Sequence, residues 1–221
     1  MIKIPERFVE LARQDVDGVA DWVAGFPDLA RGYLARWDCE LEGEVGAGGV
    51  AIVIPVRSPY GPAVIKISPP HPGNADEHQA LRLWNGDGAV RLLDCDPEGF
   101  ALLLERVGDR QLDVGVDEGI TIGGELSARL AVPAPDGMNR LADTTAEWEH
   151  QLHDDHRAAG FPLTGRVFGA ALETVRDLGE DRTATMMHGD LHQGNILHFE
   201  PDPPLRSRPG RDRLVVGPEP P

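Results

Sequence analysis

The chain has 221 residues, 41% apolar and 26% charged, and a net charge of −16 from 37 acidic side chains against 21 lysines and arginines. That composition excludes a disordered chain, and no apolar run approaches the ~20 residues a membrane-spanning helix needs. The acidic field repels nucleic acid and anionic membranes; it either draws in a cationic small molecule or serves solubility alone.

Two cysteines, Cys39 and Cys95, make neither a disulfide framework nor a metal-ligand spacing, and the N-terminus lacks the apolar core of an export signal. A cytoplasmic location is expected. Residues 5–37 carry apolar side chains at helical spacing, including Phe8, Leu11, Val16, Val19 and Val23. Gly25-Phe26-Pro27 predicts a break, with a second short helix over 28–36, and this N-terminal segment, 1–37, is expected to decorate the main fold without carrying chemistry.

From residue 38 the pattern turns to strands, over 38–45, 50–57 and 63–68, an antiparallel meander. Its first turn holds Gly46, Gly48 and Gly49, whose backbone N–H groups an anion can approach without side-chain obstruction. Hairpin turns use glycine in any case, and the spacing is neither a Walker loop nor a full G-x-G-x-x-G. In the third strand Ile65 and Ile67 share one face, with Val64, Lys66 and Ser68 on the other. Lys66 either lays its stem along the sheet and keeps its ammonium in water, or meets a carboxylate. A helix is predicted after Asn74 as N-cap, with Glu77 at the third position of a capping box. Glu77 then shares a face with Ala80, Leu81 and Trp84, which is costly for a carboxylate without a partner, and Lys66 is the available counter-ion.

Strand-like runs follow over 90–93 and 100–104, closing a sheet lobe over 38–105, and residues 105–109 read as a hinge. Helical patterns then cover 116–130, 138–159 and 167–178, within a helical lobe over 106–200. That lobe contains His188-Gly189-Asp190-Leu191-His192-Gln193-Gly194-Asn195, set between Met186-Met187 and Ile196-Leu197. An acid followed five residues later by an amide can converge if the loop curls back. The carboxylate would then accept a hydroxyl proton while the amide oxygen holds a divalent cation. A second reading takes His188-Gly189-Asp190-Leu191-His192 as an H-x-D-x-H cluster of a metal-dependent hydrolase, although further ligands at a recognisable spacing are lacking.

In this order, a glycine turn, a strand lysine, a helix glutamate, a hinge and H-G-D-L-H-Q-G-N, the chain resembles the aminoglycoside phosphotransferases, more narrowly the streptomycin and hydroxyurea resistance kinases, over about residues 38–197. The resemblance implies an α+β, protein-kinase-like two-lobe fold, with an N-lobe antiparallel sheet plus helix and a mainly helical C-lobe. It implies ATP or GTP as phosphoryl donor, with Mg2+, and a hydroxyl of a cationic small molecule, such as the aminoglycoside streptomycin, as acceptor. Gly46, Gly48 and Gly49 would lie by the nucleotide, Lys66 would contact its α- and β-phosphates, and Glu77 would orient that lysine. Backbone groups of Glu105 to Val107 would bind the base. Asp190 would take or orient the hydroxyl proton, Asn195 would ligate magnesium, His188 would brace the loop, and His192 would make a structural hydrogen bond. Asp143, Glu147, Glu149, Asp154 and Asp155 either line the acceptor site or form a solvated helix face. A monomer or homodimer is expected.

The same resemblance calls for a second metal-binding Asp after a strand downstream of Asn195. Leu214-Val215-Val216 is strand-like, but Gly217-Pro218 follows it, and Asp202, Asp212 and Glu219 are candidates by proximity alone. Residues 201–221 read as an irregular tail, with seven prolines and the arginines 206, 208, 211 and 213. The helices expected to complete the C-lobe are absent from the pattern, which makes frameshift, truncation and divergence the alternatives for the tail. Beside the active phosphotransferase stands a catalytically impaired or non-catalytic nucleotide-binding remnant.

Overall fold

The computed structural model describes residues 4–5, 8–9, 19–48, 51–108, 110–138, 140–180, 183–199 and 213–218. Contacts divide the chain into two compact units, residues 1–132 with 187–221, and residues 133–186.

In the first unit, helix α1, Val19–Arg36, continues through the predicted break and keeps Pro27 inside it. Proline removes one backbone donor and crowds the preceding turn. The helix persists because Phe26, Ala30, Tyr33 and Trp37 recur at helical spacing and are all buried. They pack with Ile52, Ile54, Val56, Ala63, Ile65, Ile67, Ala101 and Leu103 in one core cluster. Each large apolar side chain removed from water there contributes ~1.5–3 kcal/mol. The N-terminal segment is therefore a structural layer of the sheet and no mere decoration; residues 10–18 lie outside the described ones.

The sheet is a six-stranded antiparallel assembly of β1 (Glu40–Leu41), β2 (Gly46–Ala47), β3 (Ile52–Ser58), β4 (Gly61–Ile67), β5 (Leu92–Asp96) and β6 (Ala101–Glu105), ordered β1-β3-β4-β6-β5 with β2 also on β3. Its register follows from the alternation read in the sequence. Ile54, Ile65 and Leu103 stand opposite one another and point to α1, whereas Gly46, Val53, Lys66 and Leu102 form a row on the other face. β3 and β4 are buried on both faces, which explains their almost continuous apolar runs.

Asp96, the last residue of β5, ties α1 to the sheet by accepting from the Tyr33 hydroxyl at 3.0 Å and from Arg36 at 2.6 Å. Burial first, then the Asp96 hydrogen bond and charge, push the Tyr33 phenol up to about 12. Tyr33→Phe is expected to lower unfolding free energy by about 1.5 kcal/mol, because Asp96 loses a donor that α1 supplies from a buried ring. Urea denaturation reads this, and an unchanged midpoint would show that the hydroxyl is indifferent to the docking of α1.

Helix α2, Glu77–Trp84, starts later than the capping-box pattern predicts. Residues Pro72–Asn74 instead form a separate 3-10 turn closed by the Asn74 N–H on the His71 carbonyl. The α-helical bonds then begin on Asp76, whose carbonyl accepts from Gln79 and Ala80. Glu77 is thus the first helical residue and not the third. α2 ends at Asn85 in the left-handed conformation, φ 42°, with its N–H on the Leu81 carbonyl. After the sheet, α3 spans Val116–Leu130, as its periodicity predicts.

A small hairpin completes this unit. β7 (Ile196–Phe199) pairs with β8 (Arg213–Val216), and on its other edge Leu112 donates to the Ile196 carbonyl and His198 to the Arg110 carbonyl. Composition alone made 201–221 an irregular tail, yet Val215 and Val216 are 0% and 2% exposed, and their apolar side chains drive a strand there. Residues 200–212 lie outside the described ones.

The second unit holds α4 (Leu141–Ala158) and α5 (Gly165–Glu180), packed on each other. His156 stacks on Phe168 with ring centroids 4.2 Å apart, and Phe161 meets its edge. Several acidic side chains considered for the acceptor site have partners within this unit. Asp143 accepts from the Arg140 N–H at the start of α4, Asp154 pairs with Arg157, and Glu149 takes a bidentate contact from Arg176 that holds its carboxyl below the usual range.

Candidate active site

The sheet face opposite α1 carries Lys66, and its ammonium lies 2.5 Å from Glu77 Oε1 at the start of α2. Both side chains are mostly shielded, with 14% and 28% of their surface exposed, so each neutralises a charge that would otherwise be costly to cover. Strand alternation aims Lys66 away from the α1 core, and helical spacing puts Glu77 on the same side as Ala80, Leu81 and Trp84, which are buried.

Trp84, at the other end of α2, reaches two further elements. Its indole N–H donates to the Leu130 carbonyl at 2.9 Å, and its ring lies nearly parallel to His188, 16° apart with centroids separated by 6.1 Å. Lys66, Glu77 and the H-G-D loop are thereby joined through one helix. Sequence reasoning saw Trp84 only as part of an apolar stripe; its partner is 104 positions away, and no local signal reports such a contact.

The loop is folded by its own polar groups. Gly189 has φ +81°, a conformation glycine adopts without the Cβ penalty. His188 Nδ1 accepts the Asp190 N–H at 3.3 Å, and His192 Nδ1 accepts the Gly194 N–H at 3.1 Å. Asn195 is buried; its Nδ2 donates to the Asp190 carbonyl, and its Oδ1 accepts the His192 N–H at 3.1 Å. The curl required to bring residues 190 and 195 together is thus made by the Asn195 amide itself. Gln111 adds an outside support, donating to the Gly194 carbonyl at 2.8 Å. The Asp190 carboxylate remains 84% exposed, 3.8 Å from His192 Nε2, and is available to a substrate.

Because Nδ1 accepts, neutral His188 carries its proton on Nε2. Burial pushes its pKa below the ordinary value, against the opposing pull of the Asp190 and Glu77 carboxylates, while Lys66 and His192 add to the depression. The native state therefore binds this proton less well than the unfolded chain. The stabilisation is fully present above the unfolded value of ~6.5 and is lost as pH falls through the lower folded value. Melting temperature is expected to drop more steeply from about pH 7 to pH 5 in the wild type than in His188→Asn. Equal slopes would show that His188 does not carry this linkage.

The remaining predicted positions are placed as follows. Gly46 lies in the ladder opposite Val53, Gly48 donates its N–H to the Ala51 carbonyl and so closes the hairpin, and Gly49 lies outside the described residues. At the hinge, the Glu105 and Arg106 N–H groups are taken by the Arg91 and Pro62 carbonyls. Val107 has no backbone partner among the described residues, and it lies beside Gly217 at the end of β8. Hinge, loop and β8 are thus neighbours, with the Gly217 N–H donating to the Asn195 carbonyl at 3.0 Å.

The hydrolase reading does not survive this geometry. Nδ1 of both histidines is occupied by backbone N–H groups, and among the described residues no three His, Cys, Asp or Glu side chains converge on a point. A magnesium-binding set is also only partly met among the described residues: Asn195 offers one amide oxygen that already accepts a hydrogen bond, and the residues directly after β8 are Gly217 and Pro218. Such ions are ordinarily held by one or two carboxylates together with substrate phosphates.

An antiparallel sheet with a lysine–glutamate pair, and a curled H-G-D loop leading into a hairpin, define a kinase-like phosphotransferase. The profile of the family described as Aminoglycoside/hydroxyurea antibiotic resistance kinase matches residues 36–220, and the chain belongs to that family of enzymes, which phosphorylate an alcohol group. It is 32% identical to a Streptomycin 6-kinase of Streptomyces glaucescens, across 96% of this chain and 73% of that protein, and equally to one of Streptomyces griseus over the same shares. It is 34% identical to a Hydroxyurea phosphotransferase of Kitasatospora aureofaciens, across 97% of this chain and 67% of the relative.

Proposed function

We propose that the chain is an ATP-dependent O-phosphotransferase acting on a hydroxyl of a cationic small molecule, an aminoglycoside such as streptomycin. The observation that carries this is the Lys66–Glu77 pair joined through Trp84 to the loop that displays Asp190. Lys66 holds the donor phosphates, Glu77 keeps the lysine in position, the backbone at Val107 meets the base, and Asp190 accepts the hydroxyl proton as oxygen attacks the γ-phosphorus. The rate comes from positioning, with the loop geometry set in advance by Asn195. ATP or GTP is the donor, Mg2+ arrives on its phosphates, and the enzyme works in the cytoplasm as a monomer or homodimer. The names of the relatives favour streptomycin over other acceptors, and the net charge of −16 favours a cationic one.

The impaired-enzyme reading has one observation in its favour, the Gly217 that follows β8 in place of a carboxylate. The test is nucleotide consumption by the purified chain with magnesium, with and without streptomycin. Streptomycin-dependent ADP release with a phosphorylated antibiotic as product is expected. Nucleotide-dependent thermal stabilisation without turnover on any aminoglycoside would favour the impaired reading instead.

A further inference from the structure

Three elements meet around Gly217. Its N–H is fixed to the Asn195 carbonyl at 3.0 Å, the strand before it is held by Val90 donating to the Val216 carbonyl, and Val216 in turn donates to the Gly88 carbonyl. The space where a side chain would begin is filled: a Cβ on Gly217 would stand 2.9 Å from Val90 Cγ1 and 3.1 Å from Leu197 Cδ1. Val90 and Leu197 are 1% and 2% exposed, and a buried β-branched valine cannot swing aside as the end of a long side chain can. The surroundings have therefore packed against a bare backbone.

We propose that the end of β8 is a closed cation position: Gly217 offers no carboxylate there, and Val90 and Leu197 fill the space one would need. Nucleotide would then be bound through Lys66 and the hinge, and a divalent ion would be held by the phosphates and the Asn195 oxygen with no ligand from position 217. This rests on the nucleotide-binding reading given above. It also assigns the limit to these residues and not to a general decay of the site, since the lysine pair and the loop are intact.

The consequence is an unusual pair of variants. Gly217→Asp alone is expected to lower the melting temperature, because the new Cβ collides with Val90. Gly217→Asp with Val90→Ala removes the nearest colliding methyl, leaving Leu197 to shift by a few tenths of an ångström, and is expected to fold and to gain a carboxylate beside Asn195. The probe is Mn2+, titrated by electron paramagnetic resonance of the free ion against full-length protein saturated with a non-hydrolysable ATP analogue. Mn2+ is expected to bind the double variant about tenfold or more tightly than the wild type, with Val90→Ala alone unchanged, since one added charged oxygen ligand is the difference. Equal Mn2+ affinity of wild type and the folded double variant would overturn the proposal, as would a Gly217→Asp protein as stable as wild type. If the analogue itself stabilises neither protein against heat, with or without Mn2+, it is the nucleotide-binding reading that fails, and the inference goes with it.

Discussion

Asp190→Asn is expected to lower kcat by ~10²–10⁴-fold, the range for loss of a positioned proton acceptor, while leaving the melting temperature and nucleotide affinity near those of the wild type. The separation follows from how the loop is built. Residue 190 holds the fold through its backbone, with its N–H on His188 Nδ1 and its carbonyl taking the Asn195 amide, whereas its carboxylate is 84% exposed. An amide in place of that carboxylate keeps size and shape and removes the basic oxygen. Steady-state kinetics with streptomycin, beside a thermal melt with and without nucleotide, reads both halves. Undiminished turnover would remove Asp190 from the chemistry, and a large loss of stability would make it a structural residue.

Glu77→Ala is expected to cost about 1–3 kcal/mol of stability, because it strands an ammonium that is largely shielded from water. Lys66 is 14% exposed and Glu77 28%, so water can relieve part of the penalty and the upper end for fully buried pairs does not apply. Turnover is expected to fall by about tenfold to a hundredfold as the lysine loses its anchor. The control is Lys66→Met with Glu77→Leu. Replacing both charges by apolar side chains is expected to recover most of the stability and none of the nucleotide binding. If that double variant is as unstable as Glu77→Ala, the cost lies in packing and not in the unpaired charge.

Lys66 and Glu77 also show how far local pattern reaches. Strand alternation assigned Lys66 to the face opposite Ile65 and Ile67, and helical spacing set Glu77 among Ala80, Leu81 and Trp84, so their meeting followed from two short-range periodicities. The start of α2 departs from the capping box that Asn74 and Glu77 spell out, because the 3-10 turn at Pro72–Asn74 competes for the same residues. Pro27 departs in the opposite direction: it carries a local cost to the helix, and the burial of Phe26, Ala30 and Tyr33 outweighs it.

The sequence by itself determined the alternating faces of the sheet, the lysine–glutamate pair, the polar loop at 188–195 and the glycine where a carboxylate was sought. Each of these is written in spacing over a few residues. Only the tertiary structure decided that α1 is the back layer of the sheet, that the loop joins the sheet unit, that Trp84 connects α2 to His188, and that Val90 and Leu197 close the space at Gly217. Those facts depend on contacts between residues tens of positions apart, whose geometry is set by packing density and strand register across the whole unit.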